Sequence, residues 1–237
     1  MKGSLYLIPT TLGDNNPLDV LPQKVKQIIE KCNHFIVENE KTARRFIKKI
    51  TPGKNQADLV LYPLNKRVSN IEIQNYLDSC ETGISVGLLS EAGVPAIADP
   101  GAAIVALAHK KNIRVVPLVG PSSILLAMMS SGFNGQHFTF NGYLPIDSKD
   151  RKNTLKQLER LSKDKNQSQI FIETPYRNDK MLADLLQVLH SDTKLCIATD
   201  ITLETEYIRT LSIKEWKSTA KPSLHKRPTI FILHKFY

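Results

Sequence analysis

The chain has 237 residues and a formal net charge of +9, with 41% hydrophobic and 23% charged residues. This balance excludes disordered, collagen-like and coiled-coil architectures and predicts a globular protein of one large or two small domains. Apolar stretches such as 124-ILLAMM-129 are far shorter than the roughly 18 residues of a membrane span. The run 5-LYLIP-9 is too short for the apolar core of a signal peptide. We therefore expect no membrane association and a cytoplasmic location.

Three cysteines, Cys32, Cys80 and Cys196, are too few and too scattered for a disulfide framework or a zinc site, so we expect no metal. The basic residues cluster at 41–49, 149–165 and 214–227. Such clusters attract polyanions and favour a nucleic-acid partner. The alternative is that they are solvated faces of helices.

In residues 1–118, short apolar runs alternate with helical patterns. One helix is predicted at 23–32, with Val25, Ile28, Ile29 and Cys32 on one face. Another is predicted to start at the capping pair Ser69 and Glu72, and a third at 102–111. Strands are predicted at 5–8, 35–38, 59–62, 84–89 and 113–118. Strands separated by helices predict an α/β domain with a mainly parallel five-stranded sheet.

Residues 119–237 show a different spacing of elements. Strands are predicted at 137–144, 168–173, 195–202, 207–213 and 229–234, and the last three lie too close together for parallel crossovers. A helix is predicted from about Pro175 to His190, with Thr174 as its N-cap. The pattern predicts a second α/β domain with a mixed sheet.

Four loops that follow predicted strands contain proline and small hydroxyl residues or glycine: 8-IPTTLGD-14, 87-GLLSEAGVPAIADPG-101, 119-VGPSSI-124 and 173-ETPYR-177. Ligands of open α/β sheets bind where strands end, so these loops favour a shared binding site. The alternative for each loop is a turn that only joins strand to helix. A P-loop, a dinucleotide-binding G-x-G-x-x-G and an H-E-x-x-H zinc motif do not occur.

The ordered set 5-LYLIPTTLGD-14, 87-GLLSEAGVPAIADPG-101, 116-VPLVGPSS-123, 138-FTFNGYLP-145 and 171-FIETPYR-177 resembles the tetrapyrrole methylase superfamily of S-adenosylmethionine (SAM)-dependent methyltransferases. Within it, the motifs are most similar to the branch that methylates a ribose 2′-hydroxyl in small-subunit ribosomal RNA. The likeness spans nearly the whole chain.

The resemblance implies two α/β domains, SAM bound in a cleft between them, and a homodimer. The family's cofactor contacts would fall on small side chains and backbone groups of five regions: Pro9 and Thr10; Glu91, Ala92, Gly93 and Val94; Ser122, Ser123 and Ile124; Phe171, Ile172, Glu173 and Ala198; and Pro228 and Thr229. The glycine-proline loop 87–101 would then shape the floor of a SAM pocket.

A ribose hydroxyl needs a base or polarising partner and close positioning against the methyl group. Glu38 is the predicted base, and Lys41 and Arg44 are predicted to hold a phosphate or acidic substrate. The alternative is that 38-ENEKTARR-45 is a solvated helix start with i,i+4 charge pairs. If Lys41, Arg44, Arg45, Lys149, Arg151 and Lys152 line the mouth of the cleft, RNA binding should weaken steeply with salt.

Several positions depart from the ribosomal RNA branch. Glu91 stands where aspartate is usual, 38-ENEK-41 replaces E-D-T-R, and 199-TDITL-203 replaces R-E-L-T-K. The branch's C-terminal extension is also missing. Three hypotheses therefore stand: a SAM-dependent RNA ribose methyltransferase, a methyltransferase acting on a tetrapyrrole or other small molecule, and a non-catalytic RNA- or ribosome-binding protein.

Overall fold

The computed structural model describes residues 2–65 and 70–236, which form two compact units, Met1–Ser122 and Ser123–Tyr237. The predicted capping residue Ser69 lies outside the described residues. In the described part of the chain, no helix is long and apolar enough to cross a membrane.

The first unit contains a five-stranded sheet in the order β3-β2-β4-β1-β5, in which every described pairing is parallel. Its strands are β1 Ser4–Ile8, β2 His34–Val37, β3 Val60–Pro63, β4 Val86–Leu89 and β5 Arg114–Pro117. Its helices are α1 Pro17–Val20, α2 Gln23–Lys31, α3 Glu40–Ile50, α4 Asn70–Ile73, α5 Asp78–Glu81 and α6 Ala102–Lys110, with a 3-10 turn at Gln56–Asp58. The predicted parallel α/β layer is confirmed.

Helices cover both faces of this sheet. One apolar cluster joins Ile8, Phe35 and Leu89 to α2 and α3, and the other joins Leu5, Ile36 and Leu88 to α5 and α6. The central strand β4 is buried throughout, as expected for a parallel strand between two helical layers. A side chain at Gly87 would lie 2.6 Å from Ile8 Cδ1, so close packing requires glycine there.

The second unit contains a five-stranded mixed sheet in the order β6-β7-β10-β8-β9. Its strands are β6 Phe138–Tyr143, β7 Ser168–Ile172, β8 Lys194–Thr199, β9 Tyr207–Ser212 and β10 Thr229–His234. Its helices are α7 Ser123–Ser130, α8 Ser148–Lys165, α9 Asn178–Val188 and α10 Ile213–Ser218. β6 runs parallel to β7, whereas β10 is antiparallel to β7 and β8, and β8 is antiparallel to β9. The predicted mixed sheet is confirmed.

The predicted helix start at Thr174 is wrong. Residues 174–177 form a turn closed by the Arg177 N–H, which donates to the Thr174 carbonyl at 2.9 Å, and α9 begins only at Asn178. The Thr174 N–H donates to the Glu173 carboxylate at 2.6 Å. The buried carboxylate therefore shapes this segment as a turn rather than as the first turn of the helix.

Candidate active site

The loops that follow β1 and β4 meet at the carboxyl edge of the first sheet. The Thr10 N–H donates to the Gly93 carbonyl at 2.9 Å, and the Thr10 hydroxyl donates to the Ser90 carbonyl at 3.3 Å. The Ser90 hydroxyl donates to the same Gly93 carbonyl at 2.6 Å. All three residues are buried. The structure thus brings together Thr10 and Gly93, which the sequence placed among the cofactor contacts.

A third loop, after β5, packs against the first two. A side chain at Gly120 would lie 2.3 Å from Pro9 Cγ, so only glycine allows this approach. A side chain at Gly93 would lie 3.1 Å from the Pro121 carbonyl oxygen. The predicted contacts Ala92 and Val94 flank Gly93 in its loop, and Ser122 ends the third loop.

Gly93 adopts the left-handed φ of +73° and has little room for a Cβ, which would lie 3.0 Å from Leu12 Cδ2. We therefore expect Gly93→Ala to lower stability by about 1–2 kcal/mol, the cost of a left-handed non-glycine residue, and to weaken cofactor binding. Gly53→Ala is the control, because no atom lies within 4 Å of its Cβ position. Chemical denaturation measures the loss of stability, and calorimetry with SAM measures the loss of cofactor affinity. Equal stability and equal SAM affinity in the two variants would contradict the prediction.

The rest of the β4 loop is held by a carboxylate that the sequence did not single out. Asp99 Oδ1 accepts hydrogen bonds from the Ala96 N–H at 2.7 Å and the Gly101 N–H at 2.8 Å. Ala96 and Ala98 have φ values of 66° and 61°, a conformation unfavourable for residues with a Cβ. Such strain persists where the surroundings enforce it, and it is concentrated at functional sites.

Glu38 directly follows β2 at the same edge of the sheet and is half-buried. Burial raises the pKa of its carboxyl group, and the nearby charges of Asp99 and Glu91 raise it further, against a hydrogen bond from the Glu91 backbone that lowers it. Burial likewise raises the pKa of Asp99. A carboxylate with a raised pKa is a stronger proton acceptor, which suits the predicted role of a base.

Helix α3 begins immediately after Glu38. The Asn39 side chain caps it by accepting hydrogen bonds from the backbone N–H groups of Lys41 and Thr42. The Thr42 hydroxyl in turn donates to Glu91 Oε1 at 2.7 Å, which ties the helix start to the β4 loop. A rigid helix start therefore fixes where Glu38 lies.

The predicted substrate-holding residues differ in their surroundings. Lys41 is exposed on the first turn of α3. The Arg44 Nη1 group donates to the Gln56 carbonyl at 2.6 Å and so anchors the 3-10 turn. Arg45, which was predicted to contact RNA with the other basic residues, is exposed and lines a cavity beside the site. Arg45 is therefore better placed than Arg44 to receive an anion.

This cavity has a volume of about 260 Å³ and lies within the first unit. Its wall combines hydroxyl groups, basic side chains and apolar surface: Thr10, Thr11, Leu12, Gly13, Asp14, Thr42, Ala43, Arg45, Phe46, Lys49, Leu89, Ser90 and Glu91. Lys49 is paired with Asp14 at 2.6 Å, so Arg45 is the more accessible of the two cations. A hydrogen-bonding, partly apolar ligand with an anionic group fits such a wall.

The predicted contacts of the second unit gather at one edge of its sheet, where β7 and β8 end and β10 begins. Ile172 pairs with Ile230, and Ala198 also pairs with Ile230. Phe171 and Ala198 are fully buried, backbone included. Pro228 directly precedes β10 and Thr229 starts it, whereas Ser123 and Ile124 begin α7.

Hydrogen bonds fix this edge of the second unit. The Thr199 hydroxyl donates to the Pro228 carbonyl at 3.0 Å and lies 2.8 Å from the Thr229 hydroxyl. Glu173, only 5% exposed, accepts from Arg177 Nη2 at 2.7 Å. These contacts hold the predicted residues in one fixed arrangement.

Three buried polar atoms at this edge have no hydrogen-bond partner among the described residues: Arg177 Nε, Asn178 Oδ1 and Thr202 Oγ1. Buried polar groups are normally paired, and a bound ligand is one source of partners. A nucleoside with its amino, ring-nitrogen and hydroxyl groups offers both donors and acceptors. The residues present therefore fit the adenosine part of SAM. Within the described part of the chain, no three metal-ligating side chains converge.

One basic residue from the sequence analysis is not available to RNA. Arg151 is 2% exposed, and its Nε and Nη2 groups donate to Asp184 Oδ2 at 2.9 and 2.5 Å. Its Nη1 group donates to the Pro145 and Ile146 carbonyls. The expectation that Arg151 lines the mouth of a cleft is wrong, because its charge is fully used inside the second unit.

Comparison with solved structures identifies the fold. The methyltransferase CobJ superposes with a TM-score of 0.64 at 16% identity, covering 98% of this chain and 94% of that one. Cobalt precorrin-4 methyltransferase superposes with a TM-score of 0.61 at 13% sequence identity, covering the same shares of the two chains. Uroporphyrin-III C-methyl transferase from Thermus thermophilus, solved with S-adenosyl homocysteine, gives 0.57 at 15% and covers 98% of both chains. The fold is therefore that of a class of methyltransferases.

The family model of the tetrapyrrole (corrin/porphyrin) methylases matches residues 4–217, and the chain belongs to this family. Curated relatives named ribosomal RNA small subunit methyltransferase I are similar over most of the chain. The Vibrio cholerae protein is 28% identical, covering 89% of this chain and 69% of its own length. The Escherichia coli O157:H7 protein is 26% identical over 98% of this chain and 77% of its own length. The Thermotoga maritima protein is 30% identical, covering 87% of both.

These findings confirm the resemblance predicted from the motifs, both to the superfamily and to its ribosomal RNA branch. They also confirm the predicted enzyme class, a methyltransferase. The individual cofactor contacts and the roles of Glu38, Lys41 and Arg44 stay predictions.

Proposed function

We propose that this chain is a SAM-dependent methyltransferase that methylates a ribose 2′-hydroxyl of small-subunit ribosomal RNA. The similarity to relatives named ribosomal RNA small subunit methyltransferase I over most of the chain supports the substrate class. The family and its solved relative with S-adenosyl homocysteine support the cofactor. The observation that carries the chemistry is Glu38, a half-buried carboxyl with a raised pKa beside the loop of Gly93.

When bound, SAM supplies an electrophilic methyl group on a sulfonium sulfur, and the sulfur keeps the electron pair of the broken bond. In our proposal the Glu38 carboxylate accepts the proton of the ribose hydroxyl as its oxygen forms the new bond to carbon. In the first unit, Thr10 and Gly93 belong to the loops that would hold the cofactor. Positioning the hydroxyl supplies much of the remaining acceleration.

The acceptor RNA would lie along the start of α3, where Lys41 and Arg45 are exposed. Their charges would contact phosphates, and the cavity beside Arg45 would take part of a nucleotide. At about 260 Å³ the cavity is slightly smaller than the roughly 300–1,000 Å³ of pockets for drug-sized ligands.

Incubating the protein with isolated small ribosomal subunits and radiolabelled SAM tests the function. We expect label in the ribosomal RNA after protein removal. Incorporation into a precorrin or uroporphyrin substrate instead would favour the small-molecule alternative. If the protein binds SAM but methylates neither ribosomal RNA nor the small-molecule substrates, the proposed substrate is refuted. If it neither binds SAM nor transfers a methyl group, the non-catalytic alternative is favoured.

The salt dependence of RNA binding tests the proposed acceptor surface. Replacing Lys41 and Arg45 together by glutamine should weaken binding and lower the slope of log affinity against log salt by about 1.4, roughly 0.7 for each lost contact to single-stranded RNA. The matched control is Lys31→Gln with Lys110→Gln, two exposed lysines that end α2 and α6. Fluorescence anisotropy across a salt series measures both, and equal slopes in the two double variants would contradict the assignment.

The proposal includes a cytoplasmic location, where ribosomal subunits are found, and a homodimer. Apolar side chains exposed on α7 support a partner surface on the second unit: Met129 is 79% exposed and Leu125 56%. Sedimentation equilibrium gives the oligomeric state, and Met129→Glu should shift it towards monomer if this helix lies in the interface.

A further inference from the structure

The loops at the edge of the second unit where the predicted cofactor contacts lie present an exposed aromatic ring. Tyr176 is 69% exposed, in the turn between β7 and α9. Glu173, three residues earlier, and Pro228, just before β10, belong to the predicted cofactor contacts of the same sheet edge. An exposed tyrosine beside a binding site differs from an isolated surface aromatic, because its ring can meet the rest of a bound substrate.

A lysine and a histidine lie against this ring. Lys226 Nζ lies 5.9 Å from the ring centroid, within the range of a cation–π contact. The His225 ring meets the tyrosine edge-on, with centroids 5.7 Å apart and an interplanar angle of 77°. His225 and Lys226 are both exposed. We call Tyr176, His225 and Lys226 together the Tyr176 surface. This surface combines an aromatic face with the positive charge of Lys226.

The loop that carries the cations is held rigidly. The Lys226 N–H donates to the Pro175 carbonyl at 3.0 Å, and Lys226 adopts a φ of +61° that is unusual for a residue with a Cβ. The Asn178 side chain donates to the Arg227 carbonyl at 2.7 Å, and Arg227 Nε donates to Asp200 Oδ2 at 2.7 Å. The ring and its cation are thus preorganised, which lowers the entropy cost of binding.

We propose that the Tyr176 surface binds an unpaired base of the substrate RNA, with the base stacked on the tyrosine ring and Lys226 contacting an adjacent phosphate. Proteins that bind single-stranded nucleic acid combine these two elements, an aromatic platform and a basic neighbour. This inference rests on the proposed function, since it names how the same RNA is held. It further implies that the substrate segment is unpaired, because bases inside a duplex are not available for stacking on protein.

Tyr176→Leu tests the stacking, because it keeps an apolar side chain but removes the ring. We expect its affinity for a short unstructured oligoribonucleotide to fall roughly fivefold to 100-fold, the effect of losing one stacked base. Affinity for the same strand in a duplex and the heat of SAM binding should stay unchanged. Phe236→Leu is the matched control, since Phe236 is 54% exposed beyond the opposite end of β10.

Tyr176→Trp gives a direct signal of stacking. The chain's single tryptophan, Trp216, is fully buried. In Tyr176→Trp, the new side chain would therefore be the exposed tryptophan of the two. We expect the unpaired oligoribonucleotide to quench its fluorescence and the duplex to leave it unquenched. The inference would be overturned if Tyr176→Leu bound the single strand as tightly as the wild type, or if it lost SAM affinity as much as RNA affinity. In either case, methylation of ribosomal RNA by the wild type would still support the proposed function. Failure of the wild type to bind or methylate RNA would overturn both.

Discussion

Replacing Glu38 by glutamine is expected to lower kcat by about 100- to 10,000-fold, the usual contribution of a positioned general base. Glutamine keeps the size and hydrogen-bonding capacity of the side chain but cannot accept the proton of the ribose hydroxyl. SAM affinity should stay within about twofold, because the predicted cofactor contacts lie on other loops. Single-turnover methyl transfer to small ribosomal subunits, with calorimetry for SAM, measures the two effects separately.

The pH dependence of the wild type gives a second readout. The pKa of Glu38 is raised, first by burial and then by the charges of Asp99 and Glu91. A base acts only when deprotonated, so activity should fall as the pH drops through this raised pKa, at a higher pH than for an ordinary glutamate. Asp99→Asn removes one of the charges that raise it and should move this fall to lower pH.

Glu40→Gln is the control, because Glu40 is exposed on the first turn of α3, two residues from Glu38. It changes the local charge by the same amount and should leave kcat nearly unchanged. A similar loss of kcat in both variants would show that charge near α3 matters rather than proton transfer by Glu38. Full activity of Glu38→Gln would refute its role as a base.

Replacing Asp184 by asparagine is expected to lower the free energy of unfolding of the second unit by about 3 kcal/mol or more. The Arg151–Asp184 pair is buried, with side-chain exposures of 3% and 9%. Removing one partner leaves an uncompensated buried charge, which typically costs 3–5 kcal/mol. Asp164→Asn is the control, because its pair with Arg160 is exposed and should contribute less than about 1 kcal/mol.

Chemical denaturation followed by tryptophan fluorescence reports on this unit, because Trp216 belongs to the same apolar cluster as Leu155 and Leu158 of α8. The double variant Arg151→Met with Asp184→Leu should be more stable than Asp184→Asn alone, since it removes both charges together. A cost below about 1 kcal/mol for Asp184→Asn would contradict the assignment of this pair as a buried structural interaction.

The sequence predicted the strands of the first sheet because parallel, doubly covered strands are short continuous apolar runs, such as 84-ISVGLL-89. The strands of the second sheet were predicted from similar apolar runs. The sequence also predicted α2, whose apolar residues recur at helical spacing. It failed at Thr174, because the pattern of a hydroxyl residue before proline cannot reveal that the preceding carboxylate holds the segment as a turn. Hydrogen bonds within residues 173–177 decided that outcome.

The surroundings of individual basic residues could not be predicted from the sequence. Arg151 lies in a lysine-rich stretch that reads as a solvated or RNA-binding face, yet Asp184, 33 positions away, draws it into the interior. Arg44 and Arg45 are adjacent in sequence but differ in their surroundings. Arg44 donates a hydrogen bond to the Gln56 carbonyl, whereas Arg45 lines the cavity. Charge patterns locate a basic region but not which cations remain exposed.

Asp99 was missed for a related reason. Within 87-GLLSEAGVPAIADPG-101 the motif drew notice to its glycines and prolines, whereas the loop is also fixed by the Asp99 carboxylate. An aspartate two residues before a glycine that opens a helix was the available signal, because such side chains bond to backbone N–H groups nearby.

The most direct test of the central claim is mass-spectrometric mapping of small-subunit ribosomal RNA after incubation with the protein and SAM, with nuclease digestion to single nucleosides. The proposal predicts one new nucleoside carrying the methyl group on its ribose 2′-oxygen, absent when Glu38→Gln is used. A methyl group on a base, or ribosomal RNA that gains no methyl group from a protein that binds SAM, would contradict it.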